Sequence, residues 1–343
     1  MGLKCINCYH ELVFITLFVG GLVSIWSRRA VLAAGLSVGW AGAAMAKPSP
    51  LTVGVVGGPQ VGTWPLWLAH RLSFLDQHGL QVQIRAQDEL FGSAQTLTQG
   101  RLQAWIGPLA AQWLWPNASP NPYKPVLAMT RSPQLALGHM PRTLAAAQDE
   151  RPSLQTIAVP QWGGHTHWMA QGLATRMGWS MSHVRWVSMD RVDRLHRALL
   201  TQDVQGFALD EPMLSALEVE ADVSLWGDLR RVDDLKQWLG GELPGHCLWV
   251  HETWAKDHPK AVQALVSALE RAKQWLLDAS VMDVVATLGR WWPQWSHATW
   301  VRAWQSNRAT LSADGALTAA HLQRMAKLWR DMQATPWPPQ RLA

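Results

Sequence analysis

Three short segments hold the residues of this chain whose types and spacing could do chemistry. Gly163-Gly164-His165-Thr166 follows the apolar run ending at Val159 and leads into an amphipathic stretch flanked by aromatics. Glycines there would let the backbone approach a small ligand closely, and helix-terminal N–H groups with the Thr166 hydroxyl would hold an anion. A plain strand-to-helix turn with Thr166 as its N-cap uses the same residues. Gly57-Gly58-Pro59-Gln60, with Thr63 and Trp64, shows the same grammar after the earlier apolar run from Leu51. Gln60 and Thr63 could hydrogen-bond a ligand; Trp64 could pack on its apolar or aromatic part, or start a helix buried in the core. Gly107-Pro108 ends a further apolar run and offers backbone N–H and C=O groups. Asp210-Glu211-Pro212 could bind an ammonium group or a hydroxyl, or could open a helix with Pro212 in its first turn. Adjacent carboxylates make no acid–base pair without a defined separation and a pKa contrast.

Other chemistries find little support. His165-x-His167 invites a metal reading, but the candidate third ligands His70, His246 and Cys247 stand at no recognisable ligand spacing, so no metal site is assigned. Cys5 and Cys8 form a CxxC ahead of the apolar N-terminal segments, which leaves Cys247 alone beyond them. One thiol makes no intramolecular disulfide and no cysteine-based zinc site. Arg131 could steer an anion or stand as a solvated loop residue. No catalytic residue and no cofactor is assigned.

These residues need elements to carry them, and the hydrophobic periodicity supplies candidates. Strands are expected over Leu51–Val56, Leu80–Arg85, Ala104–Gly107, Val126–Thr130, Leu135–Gly138, Thr156–Val159, Val184–Val187, Gly206–Leu209 and Cys247–Val250. Helices are expected over Pro65–His78 and His167–Met177, closed by Gly79 and Gly178, over 92–100 and over Asp190–Thr201. A long helix starting at Pro259 carries Val262, Leu265, Val266, Leu269, Ala272 and Leu276 on one face. Three more occupy Val281–Trp291, Ser296–Asn307 and Thr318–Met332. Strands separated by helices of this length imply right-handed crossovers and mostly parallel sheets.

The 343 residues are 48% hydrophobic and 16% charged, which excludes a disordered chain and leaves room for one large domain or two of ordinary size. The formal charge of +5 drops to +3 if Lys4, Arg28, Arg29 and Glu11 are removed with a leader. No basic run or stripe survives, so a nucleic-acid partner is unsupported. The 23 tryptophans are spread along the chain, and Trp275, Trp295, Trp304 and Trp329 fall on apparent helix faces, which favours packing over an aromatic cage. Ser27–Ala46 has the plan of a signal peptide: Arg28-Arg29, an apolar stretch, then Ala44-Met45-Ala46 with cleavage before Lys47. The Ser-Arg-Arg-x-Val-Leu order resembles a twin-arginine signal, with a Sec signal as the alternative. Residues 12–26 form a second apolar stretch, which reads either as a start placed too far upstream or as an anchor; at fifteen residues it is short for a span of about 20.

Six stretches in order resemble one family: LTVGVVGGP, WPLWLAHRLSFLDQHGLQVQI, TLTQGRLQAWIGP, SLQTIAVPQWGGHTHW, LLTQDVQGFALDEPM and HPKAVQALVSALERAKQWL. They are similar to periplasmic substrate-binding proteins of ABC importers, in the nitrate/sulfonate/taurine and thiamine-precursor group. The resemblance implies the type II periplasmic-binding-protein fold, two α/β lobes with mostly parallel sheets joined by a two-stranded hinge. Lobe one would be 47–131 plus 248–343 and lobe two 132–247. It implies a monomer that captures a small ligand, anionic or aromatic, and presents it to a membrane permease. The ligand site would comprise Gly58, Gln60, Thr63, Trp64, Gly107, Gly163, Gly164, His165, Thr166, Asp210 and Glu211. Two departures bear on the ligand: Gly163-Gly164-His165-Thr166 stands where the family often has Gly-Ser-Gly or Gly-Ser-Thr, and Gln103 and Gln205 stand where it often has an acidic residue. Thiamine-pyrimidine synthases resemble the same group, but they use a Cys-rich segment that this chain lacks. A sensor domain tethered through residues 12–26 is the other alternative.

Overall fold

In the computed structural model, the described residues are 50–56, 60–87, 102–111, 121–141 and 155–333. The leader, the second apolar stretch, the CxxC, Gly57-Gly58-Pro59 and the helix expected over 92–100 lie outside them. Two five-stranded sheets form the frame. The first runs β2 (Val82–Gln87), β1 (Leu51–Val56), β3 (Ala104–Pro108), β10 (His246–His251), β4 (Tyr123–Ala128). The second runs β7 (Val184–Ser188), β6 (Gln155–Val159), β8 (Gly206–Asp210), β5 (Leu135–His139), β9 (Ser224–Asp228). The sheets are mixed: β10 is antiparallel to both its neighbours, and so is β5. Each reversed strand follows the other lobe in sequence, so the chain crosses between lobes after β4 and again before β10.

The two crossings run side by side as the expected two-stranded hinge. Met129 N–H donates to His246 C=O at 2.9 Å, Leu243 N–H to Arg131 C=O at 3.1 Å, and His246 N–H to the Thr130 hydroxyl at 3.0 Å. A Cβ on Gly245 would lie 2.4 Å from the Ser132 carbonyl oxygen, so only glycine lets the strands approach this closely. A shared device also locks the start of each lobe. Gln103 Oε1 accepts from Thr52 N–H, and Gln205 Oε1 accepts from Thr156 N–H, each at 2.8 Å. Each glutamine ties down a strand start, at the end of β1 and β6 remote from the strand-to-helix corners.

Strand periodicity of two sorts the side chains onto sheet faces. Ala104, Ile106, Leu248 and Val250 pack under α1 (Trp64–Arg71) and α8 (Pro259–Asp278), while Trp105, Cys247 and Trp249 face the other way. Trp105 and Trp249 sit opposite each other on neighbouring strands and stack at 5.3 Å, with Tyr123 edge-on to Trp105. In lobe two, Ile157 and Val159 pack under α3 (His165–Arg176), and Phe207 and Leu209 under α4 (Val192–Leu200) and α5 (Met213–Glu220). On α8 the buried stripe is Leu265, Ala268, Leu269, Ala272 and Leu276, with Val262 and Val266 only partly covered. Lys273 is buried on the same helix and donates to Ala128 C=O at 3.1 Å.

Several sequence expectations need correction. The helix expected over Pro65–His78 breaks into α1 and α2 (Phe74–Gln77), because Ser73 adopts φ 56°; Gly79 still closes it at φ 73°. The helix expected from His167 begins at His165, which makes Gly164 the N-cap. The C-terminal helices pack against helices of both sheets. After α9 (Val281–Leu288), α10 (His297–Asn307) packs both on α5 of lobe two and, through Trp300 and Trp304, on Trp64 of lobe one. The last helix, α11 (Ala319–Gln333), lies on α3, with Met332 seated over Gly172 and Trp329 against Trp168. Periodicity says that such a helix has an apolar face, not which lobe will cover it. Trp295 lies in the bend before α10 rather than on a helix. Among the described residues no helix is long and apolar enough to cross a membrane.

Candidate functional site

The C-terminal ends of the inner strands and the corners that follow them bring four segments together. Gln60 follows β1 and precedes the turn Val61–Thr63 and α1; His246 opens β10; Asp210 ends β8; His165 and Thr166 open α3. Gln60 Nε2 donates to Asp210 Oδ2 at 2.8 Å, across the cleft between the lobes. His246 Nε2 donates to Gln60 Oε1, and the Thr166 hydroxyl also bonds Asp210. The orientation of the Gln60 amide follows from this pairing, since reversing it would set its carbonyl oxygen against a carboxylate. His246 therefore carries its proton on Nε2, and its buried Nδ1 has no hydrogen-bond partner. The His165 ring stands 6.4 Å from that of His246, edge to face, and its Nδ1 is likewise buried and unpartnered.

Burial sets the charge of this cluster. It pushes the Asp210 carboxyl up to about 6, against the hydrogen bonds from Thr166 and Gln60. It pushes His165 down to about 3, with the neighbouring His246 adding to the effect, and His246 down to about 4. At neutral pH both imidazoles are uncharged. No lysine or arginine among the described residues makes an ion pair with Asp210. Arg131, at the hinge, is paired with Glu242.

The remaining candidates occupy distinct positions. Gly163 takes φ +77°, and its N–H donates to His167 Nδ1 at 2.8 Å. That bond places the His167 proton on Nε2; the Gln171 side-chain amide lies 3.1 Å away and, turned so that its oxygen faces the ring, accepts from that N–H, so His167 braces the corner. Burial holds it near 4. Gly164 caps α3 without a side-chain cap, so the helix opens on bare backbone N–H groups. Thr63 is buried and donates to the Gln60 carbonyl at 2.8 Å, which fixes the turn. Trp64 is fully buried among Trp300 and Trp304 and is core rather than cleft wall. Gly107 pairs with Cys247 in the ladder, and a Cβ there would run into the Trp105 ring at 2.1 Å. Gly58 lies outside the described residues.

Glu211 departs most from its expected role. Its carboxylate accepts from Arg230 at 2.8 Å, Asn307 Nδ2 at 3.0 Å and Ser215 N–H at 3.2 Å. Arg230 also bonds Glu218 and Asp228, and Arg302 of α10 bonds Glu218 at 2.9 Å. Burial alone would raise Glu218, but Arg230 and Arg302 together hold it below its usual range. Glu211 thus turns away from the cleft into a buried charge network that ties lobe two to α10. Sequence reasoning left His246 out of the ligand site and weighed it only as a possible third metal ligand; the structure sets it against Gln60. What seats it is Gly62, where a Cβ would stand 2.4 Å from His246 Cβ. Trp162, 38% exposed, lies beside His167 at the same corner.

The sequence profile of the NMT1-like family matches residues 44–289. Comparison with curated proteins returns no match. Among solved structures, a protein from Bordetella bronchiseptica RB50 superposes with a TM-score of 0.70 at 21% identity, covering 82% of this chain and 88% of its own. The alkanesulfonate-binding protein of Xanthomonas axonopodis pv. citri, bound to MOPS, gives 0.61 at 18% identity, covering 85% and 96%. The periplasmic nitrate-binding protein of Synechocystis PCC 6803 gives 0.59 at 14%, covering 85% and 92%. The fold is accordingly the two-lobed periplasmic-binding-protein fold, and the Xanthomonas and Synechocystis proteins that share it are named for the alkanesulfonate and the nitrate they bind.

Proposed function

Since the chain belongs to the NMT1-like family, we propose that it is the extracytoplasmic solute-binding component of an ABC importer. It captures a small anionic or aromatic organic ligand between its lobes and carries out no catalysis of its own. The observation that carries this reading is the Gln60–Asp210 hydrogen bond, in which polar groups from the two lobes meet in one cleft. A ligand that bonds both lobes favours the closed form by its greater affinity for that form. The uncapped start of α3 supports an oxoanion, which gains about 0.3–1 kcal/mol from the helix dipole, and more where partly buried. The exposed Trp162 supports an aromatic ligand. In this reading the protein works as a monomer, leaves its leader at Ala46, and hands its ligand to a membrane permease.

Calorimetry against alkanesulfonates, nitrate and small aromatic acids and amines tests the proposal. Saturable binding of one class supports it. Failure of the protein to bind any member, or to retain any small molecule from a cell extract, counts against it. N-terminal sequencing of the mature protein should begin at Lys47; a retained N-terminus would favour a tethered receptor.

A further inference from the structure

Two neighbouring carboxylates are treated in opposite ways here. Glu211 has Arg230 against it, and Arg230 is already shared with Glu218 and Asp228. Asp210 has the neutral amide of Gln60, the hydroxyl of Thr166 and its own backbone N–H, none of them charged. The two imidazoles beside it, His165 and His246, are uncharged at neutral pH. A carboxylate has about four lone-pair positions, and these three bonds leave acceptor capacity. A buried carboxylate without a counter-charge is expensive. No cation among the described residues pairs with it, so a ligand that brings one supplies the compensation.

The geometry points to Asp210 as the residue that sets the ligand class: on closure it receives an ammonium, amidinium or other N–H donor group of the ligand. The inference rests on the solute-binding reading and narrows it. A purely acidic ligand would set like charge against Asp210, whereas a ligand with an acidic or aromatic body and a basic nitrogen satisfies both the start of α3 and the end of β8. Asp210 is then the selector and Gln60 its partner from the other lobe.

The test uses the whole mature protein and probes that differ only in the nitrogen: propanesulfonate against 3-aminopropanesulfonate, and benzoate against 4-(aminomethyl)benzoate. Within the pair that binds, the amine-bearing member should bind at least tenfold tighter. Asp210→Asn should abolish that preference, and Asp210→Glu, which keeps the charge, should retain part of it. Equal or tighter binding of the amine-free member, with Asp210→Asn unchanged or improved, overturns the inference while leaving the solute-binding reading intact. Mass spectrometry of the small molecule retained from a cell extract is the second arm. A retained ligand bearing an N–H group supports the inference, and one without any overturns it. If no probe binds and no molecule is retained, both the inference and the solute-binding reading fall.

Discussion

The cleft cluster and the Arg230 network lie back to back, joined by the peptide bond between Asp210 and Glu211. On one side a buried arginine is bonded to three carboxylates, and Asn307 completes the set. On the other side Gln60 bridges the Asp210 carboxyl and the neutral His246 by hydrogen bonds, and the neutral His165 ring packs edge to face on His246. The first arrangement gives each carboxylate a counter-charge and serves architecture: it fixes β8, α5 and β9 to α10. Unpartnered buried atoms occur in both, Asn307 Oδ1 and the Ser215 hydroxyl in the first and the Nδ1 atoms of His165 and His246 in the second. The difference lies in charge: the second holds a carboxyl with no cation paired to it among the described residues. Compensated charge marks the scaffold, and uncompensated charge marks the place where a ligand is due.

The comparison can be broken most violently on the scaffold side. Arg230→Ala strands Glu211 in the interior and leaves Glu218 with Arg302 alone, and removing one partner of a buried ion pair costs about 3–5 kcal/mol. Urea denaturation should show that loss, and the preference for amine-bearing probes should survive in whatever protein remains folded. Acid is the next largest lever. His165, His167 and His246 are neutral when folded, at about 3, 4 and 4, while an unfolded histidine titrates near 6.5. Their contribution is whole above pH 6.5 and drains away as pH falls towards those folded values. Stability should therefore drop by about 2 kcal/mol or more between pH 7.5 and 5. His167→Asn should flatten that slope, as read by melting across pH.

Smaller effects sharpen the cleft side. Gly62→Ala forces a methyl onto His246, and overpacking of this kind costs about 1–3 kcal/mol. Because His246 backs Gln60, ligand affinity should fall along with stability, whereas an equally destabilising change in the Arg230 network should spare affinity. The mildest change is Asp210→Asn. The folded Asp210 carboxyl sits at about 6, above its unfolded value, so the stability it lends is complete in acid and is lost as pH rises through 6. The asparagine variant should thus gain on the wild type between pH 4.5 and 7.5, by roughly 2–4 °C in Tm if the difference is near 1 kcal/mol. A gain in stability at the expense of ligand selectivity is the expected behaviour of a functional residue.

Much of the fold was legible because two periods carry it. Short apolar runs marked strands such as β1, β3, β6 and β8, and the i, i+3, i+4 spacing found Leu265, Leu269, Ala272 and Leu276 of the buried stripe of α8. The resemblance of six stretches supplied the hinge, which no periodicity announces. What escaped was tertiary choice. Nothing local tells α11 to cover α3 of lobe two, since the seat over Gly172 exists only once both are placed. The candidate site was legible in part. Gln60, His165, Thr166 and Asp210 do converge, whereas Trp64 and Glu211 read identically in sequence but are absorbed by the core and by Arg230. His246 was weighed only as a possible metal ligand, because Gln60, the neighbour that places it in the cluster, is 186 positions away.

The central claim is that one ligand is gripped from both lobes at once. Hydrogen–deuterium exchange of the mature protein, with and without a dialysable cell extract, tests it directly. The account predicts that backbone amides at 60–64 and at 163–168 become protected together, at the same extract concentration, and that both responses vanish in Gln60→Ala combined with Asp210→Asn. Protection confined to one lobe, or unaltered by that pair of substitutions, would contradict it.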